Sequence, residues 1–318
     1  MLNLLQEIKD AKRIGITGHL RPDGDCTGSC MALYWYCKNN VPEAEVVVFL
    51  EEAAKTYHHI ADVQNINTTF QAKEDFDVFF CLDSTPERTG AGKELFERAK
   101  KKINIDHHET NPGLGDLNVM RSEIGSCAEV IYDLIPQEAI DDNIAKALFI
   151  GMMHDTGVFQ YSNTLPSTLV AASKLIQYDI DFANLIQQSF YEKSFKQTKI
   201  MAEAVRRSEL HLNGRCNMTY LTLEDMRLFE ANSSDLEGIV NRLKQVTGVD
   251  CAVFLYELEP NNFKASIRTS EKVDAIQIAS QFNGGGHLRA AGCSVKGTYE
   301  TVAAAVLEAI AKVLEGSL

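Results

Sequence analysis

"RIGITGHLRPDGDCTGSCMALYWY", residues 13–36, decides the fold. Residues 13–18 are apolar and β-rich, a polar loop follows, and residues 28–36 have the composition of a helix, so the stretch reads as strand, loop, helix. The order recurs along the first part of the chain. Residues 46–50 and 76–82 are further buried-strand candidates, the second stopping at Asp83. A helix is expected over 93–101 and a short strand over 102–105, which runs into Asp106-His107-His108. An apolar helix over 144–153 runs into His154-Asp155-Thr156-Gly157. Strands alternating with helices predict an α/β class with a mainly parallel sheet flanked by helices in a larger N-terminal domain.

From about Arg215 the pattern changes. A strand (217–223), one or two helices (224–245), two adjacent strands (249–258 and 262–269), a helix (273–282), a glycine-rich loop, a strand (292–296) and a last helix (300–315) predict a smaller C-terminal mixed α/β domain. Residues 181–207 contain neither Gly nor Pro and have helical composition. The expected division is a domain over 1–190, a helical linker over 191–210 and a second domain over 211–318, with a ligand-sized cleft between the domains.

Composition limits the function classes. The chain has 318 residues, 45% hydrophobic and 24% charged, enough for two cores. No apolar stretch approaches the ~20 residues of a membrane span. The segment MLNLLQEIKDAKR lacks the layout of a cleaved signal peptide. The expectation is a cytoplasmic protein with no membrane partner. Eight cysteines occur singly, without a CxxC pair, and read as reduced, mostly buried thiols. A net charge of −13 argues against a broad basic face for long duplex DNA, so any nucleic-acid substrate is expected to be short.

Four acidic groups each stand at the end of a predicted apolar element: Asp23 with Asp25, Asp83, Asp106 with His107 and His108, and Asp155. In an open α/β sheet, ligands bind outside the carboxyl ends of the strands, so these residues can converge. Carboxylates gathered without a cation repel one another and raise each other's pKa values, whereas divalent cations hold them ionised. Oxygen-rich ligation with a few imidazoles suits Mn²⁺ better than a thiolate-rich zinc site, with Mg²⁺, Co²⁺ and Fe²⁺ left open. In H-x-x-P-D-x-D, Pro22 stiffens the loop, and Asp23 and Asp25, two apart in extended chain, point to different sides and can feed two metals. Two adjacent divalent ions are the recurring engine of phosphoester hydrolysis. Taken alone, Asp23, Asp25 and Asp83 read equally as turn or helix-capping residues, and the glycine run near 284–286 as a turn. Cys26 and Cys30 lack the second cysteine pair that would complete a four-thiolate site.

Five motifs stand in order: "HLRPDGDCTGS" (19–29), "CLDST" (81–85), "DHH" (106–108), "GMMHDTG" with "YSNT" (151–157 and 161–164), and "GGGHLRAAG" (284–292). Together they resemble the DHH phosphoesterase superfamily with its DHH-associated C-terminal domain, most of all the bifunctional oligoribonuclease (nanoRNase) and pAp-phosphatase family. The resemblance implies a Mn²⁺-dependent hydrolase that cuts very short RNA and linear dinucleotides to mononucleotides and dephosphorylates pAp. A phosphodiesterase for cyclic di-AMP or pApA is the alternative within the superfamily. It implies two Mn²⁺ ions, with Mg²⁺ or Co²⁺ compatible: one on His19, Asp23 and Asp83, the other on Asp25, Asp83, His107 and Asp155. Asp83 bridges, and Asp83 and His108 are the catalytic pair. Asp106 then supports an imidazole or the loop backbone. Arg268 and Gly284, Gly285, Gly286 and His287 form a clamp for the far end of the substrate, glycine N–H groups and a guanidinium fork being suited to phosphate. A homodimer is also implied. The chain departs from the family pattern at Cys26, where a small residue such as Ala is usual, and at His154.

Overall fold

Five short strands, β1 (Arg13–Thr17), β2 (Glu45–Phe49), β3 (Val78–Leu82), β4 (Lys101–Asp106) and β5 (Leu117–Met120), pair in the order β2-β1-β3-β4-β5, every pair parallel. The structure is a computed structural model describing residues 2–53 and 55–316. A parallel sheet covered on both faces needs continuous apolar strands, and all five residues of β3 are buried. The helices of this unit are α1 (Leu4–Ile8), α2 (Gly24–Asn40), α3 (Gly92–Arg98), α4 (Cys127–Leu134), α5 (Asp142–Asp155), α6 (Pro166–Leu175) and α7 (Phe182–Ile186). On one face, Ile14, Ile16, Phe80, Leu82, Ile103 and Ile105 pack against α2, α4 and α5. On the other, Phe49, Phe76 and Phe79 pack against Leu95 and Phe96 of α3.

The chain leaves β1 for the edge strand β2 and returns to β3 on the other side of β1. The strand order therefore reverses between β1 and β3, the point where α/β sheets open a crevice at the strand ends. Helices α2 and α5 meet unusually closely: a Cβ on Gly28 would lie 2.5 Å from the Ala147 carbonyl oxygen and 2.9 Å from the Gly151 nitrogen.

Residues 193–318 make a second compact unit. Its elements are α8 (Phe195–Arg206), β6 (Glu209–His211), β7 (Cys216–Leu221), α9 (Leu223–Leu228), α10 (Ile239–Lys244), β8 (Cys251–Glu259), β9 (Asn262–Thr269), α11 (Ala275–Ala279), β10 (Gly285–His287), β11 (Ala290–Lys296) and α12 (Tyr299–Gly316). The sheet runs β10-β11-β9-β8-β7-β6, antiparallel except for β7 with β8. Alternate residues of β8 serve two layers. Cys251, Val253 and Leu255 face α11 and α12, and Ala252, Phe254 and Tyr256 face α8 and α10. The helix expected in the connection is α8, which is built into this unit through Ile200 and Ala204.

Several local expectations are corrected. The helix after the first motif begins at Gly24 rather than Gly28, because Asp23 caps it by accepting from the Asp25 and Cys26 N–H groups at 3.0 and 3.1 Å. Asp25 is therefore helical, not extended. The helix expected over 93–101 stops at Arg98, and Lys101 and Lys102 open β4, paired with Glu7 and Asp116. Residues 285–287, read as loop, form a short strand in a hairpin with β11. Among the described residues no helix is long and apolar enough to cross a membrane.

Candidate active site

Three strand ends and two helix ends bring the acidic groups together. After β1, the His19 Nδ1–H donates to the Leu20 carbonyl at 2.9 Å. This turns Nε2 toward Asp83 Oδ2 at 3.5 Å and Asp23 Oδ1 at 3.7 Å. Asp83 follows β3 directly. Its amide extends the ladder to the Ile105 carbonyl at 3.0 Å, and its backbone turns into the left-handed region at φ 54°, which Asp tolerates better than most residues. After β4, the His107 Nδ1–H donates to the Ile124 carbonyl, and Nε2 stands 3.4 Å from Asp83 Oδ1, 3.7 Å from Asp155 Oδ2 and 3.8 Å from Asp25 Oδ2.

The N-terminus of α4 holds Asp25. The N–H groups of Cys127 and Ala128 donate to its two oxygens at 2.6 and 2.8 Å, where the helix dipole favours negative charge. Asp155, the last residue of α5, is fixed by Asn163, whose Nδ2 donates to its carbonyl and carboxylate at 3.2 and 3.3 Å. Asp106 is 1% exposed and turns inward on its own loop. Its Oδ1 accepts from the His107 and His108 N–H groups and from His108 Nδ1 at 2.8 Å, while Oδ2 accepts from Asn111 at 2.7 Å.

The donor set fits divalent cations. His19, Asp23, Asp25, Asp83, His107 and Asp155 converge, and the five imidazole–carboxylate separations of 3.4–3.8 Å exceed an ordinary hydrogen bond. Two ligands bonded at ~2.1 Å to one ion stand roughly 3–3.6 Å apart, close to these values. Asp83 Oδ1 is buried at the centre with no hydrogen-bond partner, a costly position for a carboxylate oxygen unless a cation meets it. Burial and the neighbouring Asp83 and Asp155 charges push the Asp25 carboxyl well above its usual range; burial raises that of Asp155 to about 6. Burial alone would depress His107, but Asp83, Asp25 and Asp155 raise it to about 10. Carboxylates gathered this closely raise one another's pKa values, and a divalent cation would hold them ionised. Burial works against Asp106, yet His108 and Asn111 hold its carboxyl low.

Sequence reasoning did not pick out Asn111, Asn163 or the two N–H groups of α4. Asn111 stands five residues after Asp106 and Asn163 lies inside the quoted YSNT, eight after Asp155, but an amide is a poor signal for ligand chemistry. His154 packs between the Tyr57 and Phe190 rings and against Gly24, where any Cβ would collide with it.

In the second unit, the registers set His287 opposite Ala290 and Ala290 opposite Arg268, so Arg268 and the end of β10 share one row across three strands. The side chain of His287 lies outside the described residues. Gly284 and Gly285 border a depression of about 530 Å³ that Lys264, Asn283 and Ser294 also line.

Known proteins resemble this chain in both units. Residues 13–152 match the DHH family, N-terminal domain, and residues 217–316 the DHHA1 domain. The bifunctional oligoribonuclease and PAP phosphatase NrnA of Thermus thermophilus is 31% identical over 94% of this chain and 90% of its own length. The protein of the same name from Bacillus subtilis is 26% identical over 87% of each. The crystal structure of an exopolyphosphatase-related protein from Bacteroides fragilis superposes with a TM-score of 0.91 at 25% identity, covering 99% of this chain and 96% of that one. The chain therefore belongs to the DHH–DHHA1 family of bifunctional oligoribonucleases and PAP phosphatases.

Proposed function

We propose that this chain hydrolyses the phosphoester bonds of very short oligoribonucleotides and linear dinucleotides, releasing mononucleotides, and removes a phosphate from pAp. The carrying observation is that His19, Asp23, Asp25, His107 and Asp155 cluster with a buried Asp83 whose Oδ1 has no hydrogen-bond partner. Relatives named for both activities match over most of the chain. His19, Asp23 and Asp83 would hold one Mn²⁺, and Asp25, Asp83, His107 and Asp155 a second. When bound, the cations supply Lewis-acid activation of water and stabilise charge gathering on the phosphoryl group.

The chain's own residues do the rest. The water oxygen bonds to phosphorus and gives up a proton to solvent as the P–O ester bond breaks, and the leaving oxygen takes a proton. His108, oriented by Asp106, donates that proton, its pKa raised first by the Asp106 hydrogen bond, with burial working against the rise. Arg268 and the backbone of residues 284–287 hold the distal phosphate and sugar. The working place is the cytoplasm and the assembly a homodimer. A charge of −13 disfavours long duplex DNA.

The test is turnover by metal-depleted protein, with and without Mn²⁺, on a 5′-labelled RNA ladder starting at the dinucleotide, with pAp, pApA and cyclic di-AMP, and Asp83→Ala as control. The expected result is Mn²⁺-dependent cleavage that falls steeply with length, release of phosphate from pAp, and no turnover by the variant. Turnover confined to the cyclic dinucleotide, or none, overturns the reading.

A further inference from the structure

Cys26 has no part in the assignment above, yet it stands inside the cluster. Its Sγ, a ring nitrogen of His19 and a carboxylate oxygen of Asp83 all lie within 4.8 Å of one another. The residue is fully buried in the first turn of α2, with its N–H donated to the capping Asp23. The backbone leaves room for the sulfur: a Cβ on Gly18 would lie 2.2 Å from Cys26 Sγ, so glycine at the end of β1 opens the slot the thiol fills. The Asp83 carboxylate beside it is 3% exposed, and its Oδ1 has no hydrogen-bond partner. A thiol buried for packing alone needs only apolar neighbours. This one meets an imidazole and a carboxylate, the donors with which a borderline-soft cation is bound.

We propose that Cys26 contributes a sulfur ligand to the cation held by His19 and Asp83. The two cation positions then differ in chemistry. The one at His19 is an N, O, S site, and the one at Asp25, His107 and Asp155 is an N, O site. Thiolate ligation favours Zn²⁺, Co²⁺ or Fe²⁺ over Mg²⁺ and Mn²⁺, so the first position binds those softer ions more tightly than the Mn²⁺ proposed above. As the sulfur–metal bond forms, the thiol proton leaves to buffer and no electron is exchanged. The inference rests on the metal reading above, with Cys26 an added ligand.

The experiment is a Co²⁺ titration of the metal-free full-length protein followed by absorption. Wild type and Cys30→Ala are expected to show visible d–d bands together with the near-ultraviolet thiolate-to-cobalt charge-transfer band. Cys26→Ala is expected to lose the charge-transfer band and keep visible bands from bound cobalt. Cys26→Ser, which puts an oxygen in the same slot, serves the same purpose should the alanine variant fail to fold. Visible bands without charge transfer in wild type would overturn the sulfur ligand and leave the metal reading intact. Charge transfer that survives both Cys26 variants would also overturn it. If no cobalt binds at all, the metal reading and this inference fall together.

Discussion

Replacing Gly28 with alanine should loosen the floor of the site from a distance. The new Cβ would stand 2.5 Å from the Ala147 carbonyl oxygen, against 3.4 Å for ordinary contact, and every close atom belongs to the backbone of α5. No side chain can swing away, so α2 and α5 must part by about 0.9 Å. Overpacking of this kind costs ~1–3 kcal/mol, of which better helix propensity returns roughly 0.5–1 kcal/mol. The net loss, centred on about 1 kcal/mol, lowers the Tm of a unit this size by roughly 2–4 °C. The consequence for the site follows from what the helices carry. Asp23 and Asp25 begin α2 and Asp155 ends α5, so the same movement separates donors that now meet at His107. A displacement near 1 Å can cost about 10²-fold in rate. Thermal unfolding of the metal-free variant, Mn²⁺ titration and dinucleotide turnover measure the three effects. A Tm equal to or above wild type, with unchanged Mn²⁺ affinity, would refute the claim that glycine at this crossing sets the spacing of the carboxylates.

Three other expectations concern single contacts. Asp106→Asn keeps an acceptor toward His108 but removes the negative charge that strengthens this bond, and should lower kcat by roughly 10–100-fold with little change in KM or in the circular dichroism spectrum; a wild-type kcat would deny the Asp106 charge its role in positioning His108. Arg268→Ala should depress kcat/KM for a dinucleotide far more than for a small artificial phosphodiester, and equal losses would remove Arg268 from substrate binding. Asp225 is buried, which by itself raises its pKa, but a two-pronged bond from Arg207 at 2.6 Å and two from Thr222 hold it below the usual carboxylate range. Its stabilisation is thus complete above the unfolded pKa of ~3.9 and fades as pH falls through the lower folded value. Asp225→Asn should cost ~1.5–3 kcal/mol at neutral pH and flatten the acid limb of unfolding, and an unchanged limb would count against the pair.

Ligand identity and ligand support were not equally visible in the one-dimensional chain. The donors of the cluster were readable because each sits where an apolar run stops, and a parallel sheet places such stops along one edge. That inference needs only local periodicity. The start of α2 was not readable, since glycine at 24 and 28 weakens the helical signal. What makes the helix begin there is the Asp23 cap and burial against the sheet and α5, and the latter is a tertiary effect. The strand 285–287 hides for the same reason, its glycines being held by pairing with β11. β5 is four residues long, with no fully buried position, too little for a period to register. The hardest features were contacts between distant segments. The α4 N–H groups that hold Asp25 come from residues 127 and 128, and the glycines that let α2 meet α5 are 28 and 151. Neither pair shares a motif. Each is defined by close approach in space, which leaves only an isolated glycine or a helix start in the sequence. Cys26 sits between the two cases: its place in the motif drew attention, but only the slot left by Gly18 and the neighbouring His19 and Asp83 give its sulfur chemical work to do.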